Sequence, residues 1–180
     1  MRTTLIIFLA ALFIFSCSEH KPVSLPAKPG SPGTVKNAIQ GKLYKTIKAG
    51  TLSPFEMDKK NPYEWTDDMK DTSSMFRNFF ADRMKFILHF INDTAVNFMD
   101  EGKHIEATYS IDSLIKEDEK PGVKLRISYE DKDNSFNMGD MGPVRLTYTY
   151  IVAGADDKQL LLETPRSYND RKVIVLMSSE

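Results

Sequence analysis

The chain of 180 residues holds a single cysteine, Cys17, so no internal disulfide can staple it and its stability must come from packing. With 24 basic and 25 acidic side chains the formal net charge is −1, which leaves no cationic excess to neutralise a phosphate backbone. Nucleic acid is therefore not an expected partner. No apolar run approaches the about 20 residues that a helix needs to cross a bilayer. The three histidines, His20, His89 and His104, have no cysteine or second histidine at ligand spacing and no H-E-x-x-H pattern, which argues against zinc. The stretch Glu130 to Ser135 repeats oxygen-bearing side chains, but Phe136 stands where a calcium loop turns on glycine and Gly142 where it needs a bidentate glutamate. No G-x-S-x-G elbow is present, and acids are so widespread that Glu101, Glu106 or Asp112 has no claim to acid–base work. No cofactor and no catalysis are expected.

What is present begins with a leader. Residues 1–16 carry Arg2, an apolar stretch from Leu5 to Phe15 and the small residue Ser16, the layout of a secretory signal and too short for a membrane anchor. The tetrad Ile14-Phe15-Ser16-Cys17 resembles the lipobox of bacterial lipoproteins. The resemblance implies cleavage before Cys17, acylation of that cysteine and a protein tied to the membrane by lipid. Ser18 in second place resembles lipoproteins sent to the outer membrane, and Glu19-His20-Lys21 lacks the acidic run of surface-exported ones, so a periplasm-facing position is expected. Residues 17–36, with prolines at 22, 26, 29 and 32 and glycines at 30 and 33, have few bulky apolar side chains and predict an extended, polyproline-like tether.

From residue 37 to 180 the dominant period is two, the mark of half-buried strands. Met84, Phe86, Leu88 and Phe90 share a face; Ile105, Ala107, Tyr109 and Ile111 share another, after a strand from Thr94 to Met99. Val123, Leu125, Ile127 and Tyr129 form a third row, and Val144, Leu146, Tyr148, Tyr150 and Val152 a fourth. With segments 42–48, 159–163 and 172–177 this makes eight strands joined by polar turns. Eight antiparallel strands can close into an up-and-down barrel, and a two-sheet sandwich of the same strands shares that alternation. One helix is expected between strands one and two, capped by Thr66 or Thr72, with Trp65, Met69, Phe76, Phe79, Phe80 and Arg83 along one stripe.

The opening segment Ile39-Gln40-Gly41-Lys42-Leu43-Tyr44-Lys45, the middle hairpins with Asn92-Asp93-Thr94 and Ala107 to Asp112, and the late hairpin Tyr148 to Leu162 resemble the lipocalin-like lipoproteins of the Bacteroidota. Leu43 stands where lipocalins carry a tryptophan two residues after the glycine. The resemblance implies a calycin-like barrel and a small apolar or amphipathic ligand. The residues expected to wrap it are Phe86, Leu88, Phe90, Tyr109, Ile127, Tyr148 and Tyr150, large side chains on interior rows. The other reading is a non-catalytic structural or interaction protein of the cell envelope with a filled core, which meets a partner through the helix and the Phe136 to Pro143 loop. A cavity of about 300 Å³ or more would favour the binder. Asp93-Thr94-Ala95 and Asp112-Ser113-Leu114 also resemble the short O-glycosylation sequence of exported Bacteroidota proteins.

Overall fold

The computed structural model describes residues 23–52, 62–66, 80–100, 102–114, 122–131, 143–165 and 171–180. Among the described residues nine strands follow helix α1 (Pro32–Ile39): β1 (Leu43–Leu52), β2 (Tyr63–Trp65), β3 (Ile87–Phe90), β4 (Ala95–Asp100), β5 (Lys103–Leu114), β6 (Gly122–Asp131), β7 (Val144–Ala155), β8 (Gln159–Glu163) and β9 (Lys172–Ser179). Every pairing is antiparallel, each strand from β3 to β9 joins its sequence neighbour, and β1 bonds to both β3 and β9. The result is a closed eight-stranded barrel with β2 as an additional strand.

Local chemistry sets the turns. Asn92 accepts hydrogen bonds at its side-chain oxygen from the amides of Thr94 (3.0 Å) and Ala95 (2.9 Å), which folds β3 back into β4. Asp156 does the same between β7 and β8, accepting from Lys158 (2.8 Å) and Gln159 (2.7 Å). Gly102, at φ +81°, takes the left-handed conformation between β4 and β5. These tight connections join neighbours only, so the chain goes up and down. Two bulges, between Thr46 and Lys48 in β1 and between Val152 and Gly154 in β7, bend their strands so that the cylinder closes.

Inside lie the alternate side chains of all eight barrel strands. Tyr44, Leu88, Phe90, Val96, Leu125, Ile127, Leu160 and Met177 are fully buried there. A second, smaller core lies on the outer wall, where Leu52, Leu161, Ile174 and Leu176 are covered by Trp65 of β2 and by Val23. That outer layer explains why Leu160-Leu161-Leu162 and Ile174 to Met177 read as continuous apolar runs: both faces of β8 and β9 are buried there.

Three local expectations are corrected. The stretch from 23 to 36 is not a free tether, because Pro26 is buried, the Ala155 amide donates to the Ala27 carbonyl (3.0 Å), and α1 follows directly. Ser31 caps α1, its hydroxyl accepting from the Thr34 amide (3.2 Å), Pro32 occupies the first turn, and Val35 and Ile39, four apart, enter the barrel core. Gly41, at φ +72°, ends the helix and turns the chain into β1. Trp65, expected on the helix stripe, is in β2, where Gly50 of β1 lets that strand approach; a Cβ at position 50 would meet the Glu64 carbonyl. Residues 84–86 turn instead of extending, so β3 begins at Ile87. Of the expected helix between strands one and two, residues 80–83 are helical with Phe80 buried, and residues 67–79 lie outside the described residues.

Candidate functional site

The barrel interior divides into two ends with different packing. At the α1 end, Tyr44 stacks edge-on to Phe90 (ring centroids 6.1 Å apart, 79° between planes) and Phe90 does the same to Tyr109 (5.0 Å, 74°). The polar tips of these rings are satisfied at the rim. The Tyr44 hydroxyl shares its one proton between the carbonyls of Ala38 and Asp156, both at 3.3 Å, and Tyr109 donates to the Asn92 carbonyl at 2.8 Å. Burial, with Asp156 and Asp157 adding negative charge nearby, pushes the Tyr44 phenol up to about 12. Burial and Asp93 also raise Tyr109 above its ordinary value. Both rings stay neutral donors that seal this end.

At the opposite end a second aromatic group surrounds a hollow. Phe86 lies 5.9 Å from Tyr150, Phe98 lies 5.4 Å from Tyr129 and 5.9 Å from Tyr148, and Tyr129 stacks on Tyr148 at 6.0 Å and 19°. Among the described residues this end holds a cavity of about 110 Å³ walled by Phe86, Tyr148, Tyr150, Leu162, Val173 and Val175. Arg83, Thr149 and Thr164 supply its polar lining. The lining comes from β7, β8 and β9 and from the residues just before β3, so only the closed barrel assembles it.

All seven residues expected to wrap a ligand point into the interior. Phe86, Tyr148 and Tyr150 line the cavity, whereas Leu88, Phe90, Tyr109 and Ile127 belong to the packed remainder. Arg83, expected on a helical stripe, is the last residue of the helical turn 80–83 and reaches the cavity. Leu162, Val173 and Val175 escaped the sequence reading because β8 and β9 are apolar on both faces and show no alternation, and Thr164 lies just past the end of β8.

The remaining candidates have separate positions. His89 of β3 pairs with Asn97 of β4, and His104 of β5 pairs with Met99. Among the described residues no three His, Cys, Asp or Glu side chains come together as a metal site. Asp112 is bound by Arg126 on the outer wall (2.8 Å). Thr94 is exposed in the β3–β4 turn and Ser113 is exposed near the end of β5. Cys17, Glu101 and residues 132–142 lie outside the described residues, as do residues 1–16, on which the signal was expected. Comparison with models of known protein families, with curated proteins and with solved structures finds no match to this chain.

Proposed function

We propose that this chain is a lipid-anchored protein of the cell envelope, outer membrane and periplasm-facing, whose barrel takes a small amphipathic ligand into the hollow at the end opposite α1. One observation carries the reading: the interior is packed solid beneath α1 and open among Phe86, Tyr148, Tyr150 and Val175. A cavity of about 110 Å³ is well below the roughly 300 Å³ at which drug-sized pockets begin. At about 10–15 Å³ of accessible volume per water-sized group, it admits a ligand of roughly ten heavy atoms. One ring or a short acyl chain fills the apolar wall, and a polar or anionic end meets Arg83 and Thr164. The anchor rests on the leader and the lipobox-like tetrad ending at Cys17.

The second reading, a scaffold without a ligand, is favoured by the small size of that cavity. Calorimetric titration with benzoate and with hexanoate separates the two. Binding that Val175→Phe abolishes while the unfolding temperature stays within a few degrees supports a carrier; heat signals absent, or equal in both proteins, support the scaffold. Cys17→Ala tests the anchor independently, by releasing the protein from the membrane fraction.

A further inference from the structure

The proline-rich stretch was expected to hold the barrel at a distance, and the structure shortens it. Residues 23–31 form a strap on the outer wall: Val23 packs on the cluster of Leu52, Leu161, Ile174 and Leu176, Pro26 presses on Gly154, and Ala27 accepts from Ala155. Only the residues from Cys17 to Val23 therefore separate the cysteine from the strap. Extended chain covers at most about 3.6 Å per residue, so Val23 lies within roughly 20 Å of the acylated cysteine, against about 65 Å for a leash that ran free to Lys36.

We propose that the barrel rides directly on the bilayer with the β8–β9 wall toward the lipid and β4 away from it, an inference that rests on acylation of Cys17 as read above. In the cycle of eight barrel strands β4 is diametrically opposite β8. The strap side also presents chemistry that suits a lipid headgroup layer. Leu25 is 38 % exposed, one of the few large apolar side chains left open among the described residues, and Lys28, three residues further along the same strap and near Glu163, is exposed and cationic. An apolar side chain next to a lysine can enter the interface while the ammonium stays among anionic headgroups. The wall at β4 instead shows Asn97, paired across the sheet with His89 and Glu106.

The test uses the acylated full chain in vesicles with nickel-chelating headgroups. Acylation blocks the only native cysteine, so Leu25→Cys and Asn97→Cys each take one nitroxide. The expected result is relaxation by headgroup nickel several-fold greater at position 25 than at 97. A Gly/Ser insert as long as residues 22–36, placed between Lys21 and Pro22, should bring the two sites together. Equal relaxation at both sites with the native leash, in protein that stays on the vesicles, overturns this orientation and leaves the anchor standing. Protein that floats free of the vesicles overturns both.

Discussion

Pro26 occupies the space that a side chain at position 154 would fill: a Cβ on Gly154 would lie 2.8 Å from both the Pro26 Cγ and the Pro26 carbonyl oxygen. β7 runs past the last residue that β6 pairs with, and the strap takes over that uncovered end through the Ala155 to Ala27 hydrogen bond. Glycine at this position is what permits a peripheral segment to become part of the fold.

Gly154→Ala is expected to lift the strap, because the clash involves backbone atoms that cannot swing aside. The loss is about 1–3 kcal/mol, the usual range for overpacking a close contact, read by urea unfolding. Gly33→Ala is the control. It lies in α1, where among the described residues an added Cβ would meet the Ser31 hydroxyl at 3.9 Å, an ordinary contact, and its helical backbone favours alanine. That variant should gain stability, by up to about 1 kcal/mol, or stay level. Equal losses in both would show that the strap contact does not matter.

Tyr44→Phe removes the hydroxyl that ties Ala38 of α1 to Asp156 of the β7–β8 turn and leaves two carbonyls with fewer partners. The cost is about 1 kcal/mol, since both hydrogen bonds are long. The same residue governs an alkaline effect. Its phenol is raised from 10 to about 12 in the fold, so the unfolded chain loses this proton first as pH rises. Its stabilising contribution is whole below pH 10 and is lost as pH climbs through about 12. Unfolding free energies across that window should fall with pH in the native protein and fall less in Tyr44→Phe.

Glu163, at the end of β8, lies 3.6 Å from Lys172 of β9. Burial raises its carboxyl above the ordinary 4.5 in spite of Lys172 and Lys28, which pull it down, and Tyr63 is raised by its own burial first and by the charge of Glu163 second. A raised acid favours the folded state most while protonated. Its contribution is complete below pH 4.5 and is lost as pH rises through the folded value. Glu163→Gln should flatten this weakly acidic part of the stability profile. A profile that keeps its slope in the variant would place the burden on another group.

Much of the barrel is written in local alternation. Leu88 and Phe90, or Tyr148, Tyr150 and Val152, share a face because successive side chains on a strand point to opposite sides, and polar turns with Asn92 and Asp156 make the neighbours antiparallel. Ser31-Pro32 is also a legible helix start, hidden among prolines that read as a tether. The three residues of β2 carry no such signal, because a short segment becomes a strand only where an edge exists to pair with. That edge is the part of β1 past Lys45, where its pairing with β3 stops, and Gly50 makes room beside it.

The amino-acid order by itself determined which side chains share a face and where the chain turns, because each depends on residues a few positions apart. Closure of β1 onto β9, the strap over Gly154 and the position of the hollow were decided only in three dimensions. A barrel closes when strand count, tilt and bulges agree around the whole ring. A void forms where the summed volume of side chains from distant strands falls short of the space they enclose, as it does between Phe86, Leu162 and Val175.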